Sequence, residues 1–145
     1  MLTKKDYCDY ETCLALKELG YNQPSIAFYP CQDIIVDCVD SNGELYEAEY
    51  YKGNLALYSS LNNKNHDINK VQAPLLYEAQ KWLREEKKLV ILVGFDFCPI
   101  TSEIAYNWVI VVNGNTAKKS SYTYDYFEEA LSEGLRKAVK ILKEK

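Results

Sequence analysis

The sequence APLLYEAQKWLREEKKLVILVGFDF, residues 73–97, contains a helix pattern followed almost at once by a strand pattern. Pro74 suits the first position of the helix. The apolar residues of the helix share one face, at the spacing i, i+1, i+4, i+7, i+8; they are Leu75, Leu76, Ala79, Trp82 and Leu83. Residues 89–97 have the alternating pattern of a strand, and Val90 and Leu92 add apolar side chains to its second face. We therefore expect other elements to pack on both faces of this strand where it begins.

After residue 97 the sequence predicts the rest of an antiparallel meander and a closing helix. Residues 104–112 form a second strand pattern, and Asn113-Gly114 predicts a hairpin turn because a type I′ turn needs positive φ at both positions. The return strand is predicted over residues 115–122. Asp125 is predicted to cap the last helix, with Glu128 completing a capping box.

The last helix has a predicted inner face that contains a glycine. Its members recur at helical spacing; they are Phe127, Ala130, Leu131, Gly134, Leu135, Ala138 and Leu142. A glycine on that face allows another element to approach closely, because it carries no side chain. We therefore expect this helix to pack tightly on the sheet.

The first half of the chain predicts a helix and short strands. The helix pattern runs from Asp6 to Leu19, and Gly20 supplies its C-terminal stop. Extended segments follow at residues 25–29, 34–39, 44–51 and 52–60. The polar stretch 61–70 predicts a surface loop. The whole chain, 1–145, is thus predicted to be a single α+β domain: a helix, short strands with a hairpin, then helix–three-stranded antiparallel meander–helix, with the helices packed on one sheet.

Composition and charge narrow the functional classes. The chain has 145 residues and a formal net charge of −4, the size of one domain. The N-terminal residues lack the apolar core of a signal peptide, and no apolar run reaches the roughly 18 residues that a membrane helix needs. We therefore expect a cytoplasmic protein without membrane contact. Nucleic-acid binding is not expected either, since it requires clustered Lys and Arg.

An RNA-binding αβββα module is the third hypothesis that the element order leaves open. Double-stranded-RNA-binding domains have this order and place basic residues at the start of the last helix, against phosphates. Here the corresponding residues, 125–130, read DYFEEA. Their negative charge would repel a phosphate backbone.

Catalytic and metal-binding residues are sparse. The five cysteines form no C-x-x-C pair and His66 is the single histidine, so we predict no metal site, no cofactor and reduced thiols. Asp96 and Cys98 end the 89–97 strand on the same side, and with His66 they are the weak catalytic candidates. A neighbouring carboxylate raises the pKa of a thiol, which disfavours Cys98 as a nucleophile. A small enzyme or ligand binder at this strand end is the second hypothesis.

Tyrosine is unusually frequent, with 13 residues, and its apolar body and polar tip suit protein interfaces. One predicted binding group alternates before the last helix; it consists of Tyr122, Tyr124 and Tyr126. The second, with Tyr58 nearby, consists of Tyr46, Tyr50 and Tyr51. The alternative, which is the commoner case for tyrosine, is that many of these rings form the rim and core of the sheet. The leading hypothesis is a small non-catalytic accessory protein that binds another protein through a Tyr-rich surface; a homodimer is also compatible with the sequence.

Three blocks, 64 residues in all, carry a resemblance. They are DYETCLALKELGYNQPSIAFY (9–29), APLLYEAQKWLREEKKLVILV (73–93) and SYTYDYFEEALSEGLRKAVKIL (121–142). The chain resembles a group of small proteins of Bacteroidales gut bacteria and their phages and mobile elements, in which a YETAKLLKEKGF helix, an AP-x-x-x-x-AQKWLRE helix and a FEEALEAGL helix recur. The resemblance implies a phage or mobile-element origin, and no reaction, cofactor or site residue.

Overall fold

The computed structural model describes residues 2–57 and 69–144. Within these residues, three helices follow a short 3-10 helix at Lys4–Asp6; they are α1 Tyr10–Glu18, α2 Leu76–Glu86 and α3 Phe127–Lys143. The strands are β1 Ala27–Pro30, β2 Ile34–Val39, β3 Leu45–Tyr50, β4 Ala56–Leu57, β5 Lys70–Gln72, β6 Leu89–Phe97, β7 Ile104–Val112 and β8 Asn115–Lys119. The predicted α+β class is confirmed. The predicted loop 61–70 lies outside the described residues except for its last two, and Lys70 already belongs to β5.

The described strands form three antiparallel sheets. The meander has the order β6-β7-β8, a second sheet has the order β4-β1-β5, and β2 and β3 form a separate hairpin. The turn at Asn113-Gly114 has the predicted positive φ values of 51° and 81°. Helices α2 and α3 pack on the meander, whereas α1 contacts α3 and β5. The strands before residue 73 are thus not part of the sheet that carries α2 and α3.

The helix of the 73–97 stretch buries the predicted face, but it begins later than predicted. All five apolar residues of that face are buried. Pro74 is not the first helical residue: the helix starts at Leu76, and Leu75 precedes it in extended conformation. The reason lies in pairing with the N-terminal segment, since Tyr7 forms a β-bridge with Leu75 and the Cys8 N–H donates to the Pro74 carbonyl over 3.0 Å.

The meander and its closing helix differ from prediction near residue 124. Strand β8 ends at Lys119 rather than at residue 122, and Tyr124 instead forms an isolated bridge with Tyr106. Tyr126, the residue before α3, still has extended backbone angles. The predicted cap at Asp125 is therefore wrong, because the bridge at Tyr124 delays the first helical turn.

Helix α1 also starts later than predicted, at Tyr10 rather than Asp6. The carboxylate of Asp9 accepts a hydrogen bond from the Thr12 N–H over 2.8 Å, which is the usual role of an N-cap aspartate. Asp6 belongs to the preceding 3-10 helix. The predicted stop at Gly20 is confirmed, with φ of +102°.

The predicted close approach at Gly134 is confirmed. A Cβ atom built at this position would lie 2.9 Å from Ile91 Cγ2 and 3.3 Å from Trp108 Cβ. Helix α3 therefore lies directly on the β6–β7 pair. The absence of a side chain at residue 134 allows the helix to approach the two strands this closely.

Candidate functional site

The weak catalytic candidates are not assembled into a site. Asp96 and Cys98 are both exposed near the end of β6, and His66 lies outside the described residues. Cys98 begins a tight hairpin loop: its N–H donates to the Glu103 carbonyl over 2.9 Å, and its carbonyl accepts from the Ser102 N–H over 2.8 Å.

The pKa of Cys98 shifts in the direction opposite to that expected from a nearby carboxylate. The hydroxyl of Thr101 and the backbone N–H groups of Thr101 and Ile100 hydrogen-bond to its sulfur. These donors stabilise the thiolate, so the pKa of the thiol lies below its ordinary value. Exposure and a stabilised thiolate are the conditions that favour thiol reactivity.

We expect Cys98 to react with an aromatic disulfide reagent before the buried thiols of Cys8, Cys13 and Cys38, because it is exposed and its thiolate is stabilised. Stopped-flow thiol titration at pH 7 should show a fast phase that Cys98→Ser removes. Thr101→Val should slow this phase by removing the main donor. A fast phase that persists in Cys98→Ser would contradict this assignment.

The second tyrosine group has divided roles. Tyr50 packs edge-on against Phe28 with ring centroids 6.0 Å apart, so it belongs to the small core below the β2–β3 hairpin. Tyr46 and Tyr51 are exposed, and the Tyr51 hydroxyl donates to a Glu49 carboxylate oxygen over 2.9 Å. Tyr58 lies outside the described residues.

The first tyrosine group is also divided. Tyr124 is half-buried: its backbone exchanges two 2.8 Å hydrogen bonds with Tyr106, and its hydroxyl accepts from Trp108 Nε1 over 3.3 Å. Tyr122 is exposed, with its ring centroid 5.6 Å from that of Tyr124. Tyr126 is 57% exposed. Tyr124 is thus structural, whereas Tyr122 and Tyr126 are free to contact a ligand.

Tyr124 and Tyr126 border a cleft of about 480 Å³ that we call the tyrosine cleft. Its other lining residues come from the N-terminal segment, β1 and α3; they are Lys4, Lys5, Tyr7, Asp9, Tyr29, Glu128, Glu129, Ser132, Glu133 and Arg136. Sequence reasoning missed Tyr7 and Tyr29, which lie far from residues 124–126 along the chain. The cleft size is in the range of small-ligand and side-chain pockets.

The floor of the tyrosine cleft is fixed before any ligand binds. Tyr29 is buried and its hydroxyl donates to the Cys8 carbonyl over 2.6 Å. Burial raises the pKa of this phenol, which keeps it neutral. Tyr7 is held by its bridge to Leu75. A rigid aromatic floor lowers the entropic cost of binding.

Charges of both signs line the cleft. Arg136 contacts Asp9 over 2.6 Å and Glu133 over 3.1 Å. Burial raises the pKa of Asp9, but hydrogen bonds from Arg136 and Thr12 lower it by more, so the net pKa is below its ordinary value. Elsewhere in the lining, the Lys5 ammonium lies 5.2 Å from the centroid of the Tyr126 ring, a cation–π distance.

A second exposed surface, which we call the hairpin patch, consists of Phe95, Phe97, Ile100 and Ile104. Phe95 and Phe97 are 65% and 55% exposed. They lie opposite Tyr106 and Ile104 in the β6–β7 register, on the face that α3 covers further along the strand. The strand pattern predicted this common face but not its exposure.

The described residues offer no group of three or more His, Cys, Asp or Glu side chains that could hold a metal ion. None of the described helices has the length and apolar character needed to cross a lipid bilayer. Comparisons with protein-family models, curated proteins and solved structures find no significant match to this chain. The site must therefore be interpreted from its own chemistry.

Proposed function

We propose that the protein acts without catalysis, by binding a segment of another protein in the tyrosine cleft. The observation that supports this proposal is a cleft with two buried tyrosines as its floor, Tyr7 and Tyr29, and one exposed tyrosine, Tyr126, at its rim. Such a combination supplies an apolar anchor site next to polar contacts, as in protein interfaces.

The charges of the cleft favour a peptide of mixed character. The lining includes Lys4 and Lys5 from the N-terminal segment and Glu128 and Glu129 from the first turn of α3. A segment with an apolar or aromatic anchor for the floor and flanking charges of both signs would match this surface. A polyanion would not, since carboxylates and ammonium groups line the cleft together.

The two other hypotheses receive less support. The order α2-β6-β7-β8-α3 matches an αβββα module. However, the first turn of α3 carries Glu128 and Glu129, and Lys143 near its end contacts Glu18 over 2.7 Å. The hypothesis of an enzyme that uses Asp96 and Cys98 has less support because neither residue lines the tyrosine cleft. The phage or mobile-element origin remains a prediction from the resemblance.

A random peptide library displayed on phage tests this proposal. We expect enrichment of peptides with an aromatic or aliphatic anchor, and Tyr126→Ser should weaken the binding of an enriched synthetic peptide about tenfold, the loss typical of an interface anchor. Fluorescence anisotropy of the labelled peptide measures this change. Tyr124 is unsuitable for the test because it supports Tyr106 and Trp108.

Tyr77→Ser is the matched control, because Tyr77 is 62% exposed on α2 and does not line the cleft. Its peptide affinity should equal that of the wild type. The proposal fails if no peptide is enriched above background, or if Tyr126→Ser and Tyr77→Ser bind the enriched peptide equally well.

A further inference from the structure

Among residues 2–57 and 69–144, nothing hydrogen-bonds to the outward-facing backbone groups of the central part of β6. In antiparallel pairs, each residue alternately directs its N–H and C=O toward one neighbouring strand or the other. Tyr106 directs both groups to Tyr124, away from β6. Its opposite residue, Phe95, therefore directs both groups away from β7, as do Val93 and Phe97 by the same alternation.

The free part of this edge is short and bounded at both ends. At one end, Gln80 Nε2 donates to the Ile91 carbonyl over 2.8 Å, which occupies the edge there. At the other end, the loop begins at Cys98, and Pro99 has no N–H to donate. Among the described residues, β6 pairs with β7 alone. Three outward-facing residues remain, with Phe95 at their centre.

We propose that a second copy of the chain pairs with this edge, β6 against β6 in antiparallel orientation, with the two-fold axis at Phe95. In this register Val93 of each copy pairs with Phe97 of the other, so all three outward-facing residues form hydrogen-bonded pairs. The two meanders join into one six-stranded sheet, and each hairpin patch gains an apolar neighbour. This dimer does not use the tyrosine cleft.

The Asp96 charge and the hydrogen bond from Gln80 to Ile91 favour this register over the registers shifted by one residue. Centring the pair on Asp96 would place two Asp96 carboxylates directly opposite each other, which is destabilising. Centring it on Gly94 would require the edge at Ile91, which Gln80 already occupies. Centring it on Phe95 places each Asp96 opposite Gly94 of the other copy. The exposed apolar side chains of Phe95 and Phe97 beside this edge also favour strand pairing.

Sedimentation equilibrium of the whole chain tests the dimer. The wild type is expected at twice the 16.7 kDa chain mass, and Phe95→Lys at the monomer mass, because it places two ammonium groups opposite each other. Leu45→Lys replaces an equally exposed side chain of the β2–β3 hairpin and should leave the dimer intact. A monomeric wild type, or a dimer that Phe95→Lys leaves unchanged, would overturn the proposal.

Amide hydrogen exchange provides a second readout that does not depend on the variant's folding. In the wild-type dimer, the N–H groups of Val93, Phe95 and Phe97 should exchange slowly, as slowly as the β6–β7 amides of Gly94 and Asp96. Fast exchange at the three outward amides beside slow exchange at the other two would refute pairing at this edge.

Discussion

Replacing Gly134 with leucine is expected to lower the free energy of unfolding by about 3 kcal/mol, at the upper end of typical overpacking costs. Even the first added carbon would lie 2.9 Å from Ile91 Cγ2 and 3.3 Å from Trp108 Cβ. Helix α3 would have to move away from β6 and β7. Urea denaturation followed by tryptophan fluorescence measures the change.

The control for this substitution is Lys140→Leu, which places the same side chain on the exposed face of α3. Surface substitutions of this kind usually change stability by less than about 0.5 kcal/mol. A Gly134→Leu variant as stable as Lys140→Leu would show that the helix–sheet distance is larger than described here.

Replacing Leu83 with alanine is expected to cost about 2–5 kcal/mol, the range for deleting a buried leucine side chain. Leu83 is 0% exposed and belongs to the main core. The loss combines the transfer free energy of the removed methyl groups with the cavity that remains. Because domains are stable by only about 5–15 kcal/mol, the same urea titration should show a large shift in midpoint.

Leu92→Ala is the matched control from the same stretch of sequence, since Leu92 is 53% exposed on β6. Its effect should stay within about 0.5 kcal/mol. Equal losses at residues 83 and 92 would mean that the outer face of β6 is covered as well, which was the expectation from sequence.

Strand bounds and the hairpin turn were predicted well from the sequence where the local residue pattern is typical of one structure only. The bounds of β2 and β6 match the predicted segments 34–39 and 89–97, because each segment is a compact run of mainly apolar residues, as strands often are. The turn at Asn113-Gly114 was predictable for the same reason: few residue pairs accept two positive φ values.

Helix starts were predicted less well because tertiary pairing overrides local capping signals. Pro74 and Asp125 are both good local start signals, yet each lies in a segment that pairs with a distant one. Tyr7 holds the chain at Leu75, and Tyr106 holds it at Tyr124. No periodicity within either helix contains this information.

The tyrosine cleft could be predicted only in part. Tyr124 and Tyr126 were singled out by their frequency and alternation, but Tyr29 reaches the cleft through packing between β1 and the N-terminal segment. The exposure of Phe95 and Phe97 was unpredictable for a related reason. The alternating pattern shows which side chains share a face of the strand. How far along β6 that face is buried depends on where α3 begins.

The contact between α1 and α3 has a consequence for the order of synthesis. Arg136 contacts Asp9, 127 positions earlier in the chain, and α3 also covers Ile91 and Trp108. On the ribosome, the meander emerges before the helix that shields its inner face. Until α3 has emerged and packed, the sheet surface at Ile91 and Trp108 lacks its cover in the nascent chain, and this is the stage at which contact with a chaperone would be most useful.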